Sequence, residues 1–171
     1  CCPPDIDPEY KNFEIEAPGL IEIQNEGDAF DQNDTLWVKS LIPNTLTDKT
    51  GEQIDINELT GNSGTAYLGL NLFLKSNFTQ ASPINLSEDE IISTTGMVIF
   101  QSVISVTTTE VDGQIQSEFG IVLKEKGKYF LGAVYPEYPP TFYLETTDFD
   151  QISIQTNFAN QDSDQFHFRV E

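Results

Sequence analysis

Four leucines two residues apart, Leu68, Leu70, Leu72 and Leu74, constrain the fold of this chain more than any other feature. On a helix that spacing scatters the side chains around the cylinder; on a strand it gathers them on one face. Tyr67, Asn71, Phe73 and Lys75 then share the opposite face, and the spacing predicts a strand over 66–75. The same alternation recurs along the chain. Phe13 and Ile15, followed by Ile21 and Ile23, predict a first strand broken at Pro18-Gly19. Leu36 and Val38 lie in a strand over 35–42 that Pro43 stops. Further strands are expected over 129–135, over 151–158 (Ile152, Ile154, Phe158) and at Phe166, Phe168 and Val170. Ile, Val and Thr make up 40 of the 171 residues against six Ala, and β-branched side chains suit a pleated surface better than a helix.

Asp112-Gly113 is the strongest turn signal, because a type I′ turn needs positive φ at both central residues. It predicts a hairpin between 97–111 and 114–124 in which Val106 faces Phe119 and Ile104 faces Ile121. Helix signals are few: Ser87 with Glu90 reads as a capping box, and 55–59 as a short turn. The expected architecture is all-β, a single sandwich of roughly seven to nine strands with at most one or two short helical turns. It occupies 11–171, behind a Pro-containing tether over 1–10.

One local pattern carries a resemblance. Glu125-x-Gly127-x-Tyr129-x-Leu131 resembles the tyrosine corner of immunoglobulin-type domains, with Glu in place of Asp and Leu in place of Cys. The resemblance implies an immunoglobulin-like sandwich in which the Tyr129 hydroxyl bonds back to the corner it leaves, without the inter-sheet disulfide. Trp37 would then be a core aromatic.

The charge balance excludes several function classes. Eight Lys and Arg against 28 Asp and Glu give a formal charge of −20, and no basic stripe is visible along the sequence, so nucleic acid is not an expected partner. A hydrophobic fraction of 38% is too high for a disordered acidic tail. No apolar run reaches the ~18–20 residues of a membrane helix.

Cys1-Cys2-Pro3-Pro4-Asp5 resembles the start of a mature bacterial lipoprotein, with Cys1 at the lipidated position. Several acyl chains on one residue anchor stably where one does not. Cys2 stands where inner-membrane retention would place Asp, and Asp5, Asp7 and Glu9, interrupted by Ile6 and Pro8, resemble the acidic export tag of Bacteroidota-type surface lipoproteins. The resemblance implies a lipid-anchored outer-membrane protein at the cell surface. A chain boundary without biological meaning and a vicinal disulfide are the alternatives. Asp34-Thr35-Leu36 matches the O-glycosylation pattern of the same group, making Thr35 a candidate site, against the plainer reading that Thr35 starts a strand.

Catalytic and metal kits are thin. There is one His, between Phe166 and Phe168, and one Arg, Arg169. A glycosidase-type carboxylate pair needs ~5–9.5 Å separation across a cleft, which sequence cannot display; no catalytic residue is expected. One His and two tethered Cys do not make a zinc site. Acidic loops at Asp28, Asp31, Asn33 and Asp34, and at Asp148, Asp150, Asp162 and Asp164, raise calcium, but Asp31-x-Asn33-x-Thr35 lacks the Gly of an EF-hand loop, and solvated acidic loops are the expectation. No cofactor beyond the lipid on Cys1 is expected.

The most unusual stretch is 135–143, with Tyr135, Tyr138, Phe142 and Tyr143 among three prolines that interrupt strand pairing. It reads either as a preformed contact surface or as a lid on the sandwich. The expected function is a non-catalytic, membrane-tethered accessory or binding subunit of an outer-membrane protein complex. The alternative is a glycan-binding module using these rings or Trp37.

Overall fold

The computed structural model describes residues 10–25, 27–77 and 80–171. The chain is an all-β sandwich. Its larger sheet is built around the leucine strand, Tyr67–Lys75. Asn12–Glu16 pairs with Gln151–Gln155, which pairs with Thr141–Glu145, which joins Tyr67–Lys75. Gly127–Ala133 joins the same strand and carries Phe166–Val170 and Ala29–Phe30 beyond it. Ile104–Thr107 and Ala81–Pro83 cover the other edge, with Met97–Phe100 outside Ile104–Thr107. The smaller sheet centres on Gln114–Val122 and Thr35–Ile42, flanked by Ile21–Ile23, Thr109–Val111 and Ile91–Thr95. A hairpin of Thr45–Thr47 and Gln53–Asp55 leads into a short α-helix, Ile56–Thr60.

The core lies between the sheets. Leu68, Leu70 and Leu72 are buried as the alternation predicts, and Leu74 packs against them half-exposed. Facing them from the smaller sheet are Leu36, Val38, Phe119 and Ile121. Ser40 and Ser117, in register on neighbouring strands, bury their hydroxyls by bonding to each other, so the core holds that polar pair at little cost.

Seventeen strands are present among the described residues, more than the seven to nine expected, because short pairings such as Thr45–Thr47 with Gln53–Asp55 add to them and because predicted strands break where the chain reverses, as 97–111 does at 101–103, or changes sheet. Pro18-Gly19 is one such place: Asn12–Glu16 lies in the larger sheet and Ile21–Ile23 in the smaller. Side-chain oxygens of Asn157 and Thr156 accept the amides of Gly19 and Leu20 there, at 2.7 and 3.0 Å. The 97–124 hairpin is corrected for the same reason. Its turn is as expected, with φ of +51° at Asp112 and +80° at Gly113, but pairing stops after Thr109↔Gln116. Buried Thr108 binds the 64–66 backbone instead: its N–H donates to the Ala66 carbonyl at 3.0 Å, and its Oγ1 receives the Ala66 amide at 2.7 Å. Val106 therefore pairs with Leu68 and Ile104 with Leu70. Phe119 and Ile121 stay in the opposite sheet, and all four side chains are buried.

Tyr129 donates its hydroxyl to the Glu125 carbonyl at 2.8 Å, the bond expected of a tyrosine corner. Trp37 is corrected: it is half-buried on the outer side of the smaller sheet, over Gly120, where a Cβ would come within 3.0 Å of its ring. The helical turns fall where predicted. Asp55 caps Ile56–Thr60 by accepting the Glu58 amide at 2.9 Å. Ser87 forms no capping box: its hydroxyl bonds the Asp89 and Glu90 carboxylates, and a single 3-10 turn leads straight into Ile91–Thr95.

Candidate binding face

The outer face of the larger sheet carries the residues that its strands alternate away from the core. In register, Met97, Thr107, Tyr67, Tyr143, Ser153 and Glu14 follow one another across five pairings. One level along, Ile99 and Ser105 lead to Gly69. Tyr67, Met97, Ile99, Tyr135, Tyr138 and Tyr143 are all between 44% and 67% exposed. Four half-exposed tyrosines alone present roughly 400 Å², comparable with the largest apolar patch of an ordinary monomer before the two aliphatic side chains are added.

Register explains how Tyr135 and Tyr138 reach this face. Ala133 partners Leu70, and Phe142 partners Leu68. Nine residues of one strand thus pass while the other advances two, an excess of seven. Ile104 and Val106 hold the opposite edge at the same two leucines, so Gly127–Ala133 and Thr141–Glu145 run along a single edge and 134–140 arches out between them. Pro136 sits second in a turn closed by the Tyr138 amide on the Tyr135 carbonyl at 3.0 Å. Gln165 Nε2 donates to the Pro136 carbonyl at 3.0 Å and the Thr156 amide to that of Pro140 at 2.9 Å. The arch is therefore tied at both ends, and its prolines reduce the entropy lost when a ligand orders it.

A depression of about 290 Å³ lies under the arch, lined by Gly69, Val134, Tyr135, Tyr138, Pro139 and Tyr143. At Gly69 a Cβ would come within 3.1 Å of a Val134 methyl, so glycine deepens the floor. On the far side of Tyr143 a second depression of about 230 Å³ is polar, lined by Asn12, Glu14, Lys49, Ser153 and Gln155 among others. Lys49 bridges to Glu14 there at 3.4 Å.

Three of the four residues expected to bind a partner, Tyr135, Tyr138 and Tyr143, are exposed and line one depression. Phe142 is a correction. It is 0% exposed and belongs to the core, paired with Leu68 and Ile154. In Thr141-Phe142-Tyr143-Leu144-Glu145 the alternation puts Phe142 with Leu144, both buried, and Tyr143 with the polar residues. The same reading applied to 67–75 and 97–100 would have marked Tyr67, Met97 and Ile99, which the sequence reading did not single out.

Cys1 lies outside the described residues. Thr35 is half-buried at the start of Thr35–Ile42, its carbonyl accepting Asn25 Nδ2 at 3.0 Å. The acidic loops use carboxylates as backbone caps: Asp34 accepts the Asp31 amide and Asp150 the Lys11 amide, each at 2.9 Å. Asp48 and Asp89 have pKa values below the usual carboxylate range, held down chiefly by hydrogen bonds from Thr50 and Lys124 respectively. Among the described residues, no three His, Cys, Asp or Glu side chains converge to hold a metal ion, and no helix is long and apolar enough to cross a membrane. His167 points outward, away from buried Phe166 and Phe168, with Nε2 3.0 Å from Gln165 Oε1. Burial, with a smaller contribution from Lys75, lowers its pKa. No protein-family model and no curated protein sequence matches this chain.

Proposed function

We propose that this protein is a non-catalytic binding subunit that docks another protein on the outer face of its larger sheet. The observation that carries this reading is the convergence of six exposed large apolar side chains on that face, Met97 and Ile99 among them. Aliphatic side chains beside tyrosines suit the centre of a protein interface. Such an interface needs roughly 800 Å² per partner, so the patch would form its middle and the surrounding polar residues its rim. The resemblance at Cys1 extends the proposal to a lipid-anchored accessory role in an outer-membrane complex at the cell surface. A glycan is the second reading, supported by the polar depression beside Tyr143.

The test uses Tyr67→Ser with Tyr138→Ser, both exposed positions. Gentle solubilisation of native membranes, followed by mass spectrometry of the purified complex, should recover a defined partner with the wild type and lose it with the double variant. Equal recovery overturns the proposed face. Binding to purified oligosaccharides that is lost in Ser153→Ala with Gln155→Ala, and not in the double tyrosine variant, would establish the second reading instead. Intact mass of the native protein reports acylation of Cys1.

A further inference from the structure

Only eight basic residues accompany 28 acids in this chain, yet three of them stand side by side at the end of the larger sheet remote from Tyr67. Lys128 is the register partner of Lys75 on one side and of Arg169 on the other. The three cross adjacent strands at one level, with neighbouring strands about 5 Å apart. Like charges directly opposite one another repel and destabilise a sheet. Carboxylates abundant elsewhere do not relieve this arrangement: among the described residues neither Lys75 nor Lys128 has an ion-pair partner. Arg169 is balanced by Glu171 at 2.7 Å and, more loosely, by Asp28 at 3.9 Å.

The three cations line a shallow depression of about 180 Å³ together with Asp28, His167 and Phe168. Two residues along each strand, on the same face, lies an aromatic row: Phe73 stacks on Phe130 at 4.7 Å between ring centroids, and Phe130 meets His167 at 5.3 Å. Phe73 and Phe130 are buried although they alternate away from the main core. The cations therefore stand in register beside a buried aromatic pair on the same face of the sheet.

We propose that Lys75, Lys128 and Arg169 form a binding site for a phosphate-type oxyanion, carried by a soluble phosphate or by a lipid headgroup. Two ammonium groups without carboxylate partners supply point charges, and the guanidinium supplies a planar fork whose orientation Glu171 already holds. Asp28 is the repelling group at the rim, and Arg169 lies against it. Three cations match one or two phosphates; they do not form a track for a polyanion. This site is separate from the apolar face and does not depend on it.

The full chain is titrated with inorganic phosphate at neutral pH and constant ionic strength, following the side-chain NMR signals of Lys75, Lys128 and His167. Saturable shifts are expected at all three. Lys75→Gln with Lys128→Gln should weaken binding by at least about tenfold, whereas Lys39→Gln, on the other sheet, should leave it unchanged. Co-sedimentation with phosphatidylcholine vesicles, with and without phosphatidic acid, distinguishes the sources. Pelleting that requires both phosphatidic acid and the two lysines identifies a headgroup; phosphate binding without pelleting identifies a soluble ligand. Absence of both, or equal binding by the double variant, overturns the proposal. A double variant with a higher unfolding midpoint and unchanged binding would show a tolerated repulsion and also overturn it.

Discussion

Phe142 and Tyr138 lie four residues apart, one inside the sandwich and one on the arch, and truncating each separates packing from recognition. Phe142 is wholly buried between Leu68 and Ile154. A buried phenylalanine removes about 150–250 Å² from water, which at about 25 cal/mol per Å² is about 4–6 kcal/mol for the whole side chain. Alanine retains part of that, and the cavity it leaves adds a term, so Phe142→Ala should cost about 3–5 kcal/mol. In a chain of this length such a loss lowers the thermal midpoint by about 6–20 °C. Tyr138 is 62% exposed, and Tyr138→Ala should change stability by no more than about 0.5 kcal/mol. A hot-spot ring at the proposed interface would cost about 2 kcal/mol or more of partner binding. Urea unfolding of both variants, followed by circular dichroism, gives the stability half of the test. An unmoved midpoint in Phe142→Ala would refute the assignment of Phe142 to the core. A midpoint in Tyr138→Ala that falls as far would show the arch to be a lid.

Gly113→Ala should destabilise by about 1–2 kcal/mol, the cost of left-handed backbone in an L-residue, because nothing lies within 4 Å of the added Cβ to clash with it; an unchanged urea midpoint would refute that. Tyr129→Phe removes the hydrogen bond to the Glu125 carbonyl and should cost about 0.5–1.5 kcal/mol, with amide exchange at 125–129 reporting whether the corner loosens. His167 titrates below its ordinary pKa of about 6.5 in the fold, so the unfolded chain takes up the proton first. Stability is free of this penalty above that value and declines as pH falls through it towards the lower folded pKa. The wild type should thus lose stability relative to His167→Gln over that interval, before the carboxylates titrate; a constant difference in urea midpoints would refute the assignment.

Local signals were strong enough to place most strands. Alternation at Leu68, Leu70 and Leu72 depends only on the two-residue period, and Asp112-Gly113 only on φ, so both were legible without knowing what the chain packs against. The Tyr129 corner and the turn capped by Asp55 are local in the same sense, with donor and acceptor three or four residues apart.

What tertiary structure decided is partner and side. Val106 could satisfy its period by facing Phe119 or Leu68; the choice turned on Thr108 bonding to Ala66, 42 residues away. Phe142 and Tyr143 are both aromatic, and a search for aromatic clusters counts them alike, yet adjacent strand residues point to opposite faces and only one can be exposed with Tyr67. The seven-residue arch, and the row of Lys75, Lys128 and Arg169, exist only once non-consecutive strands are set in register. The sequence alone determined that this chain makes strands and where several of them turn, because those choices rest on backbone geometry within a few residues. Which strands meet, and hence which side chains stand together on the surface, was left to long-range pairing, because one period serves many partners equally well.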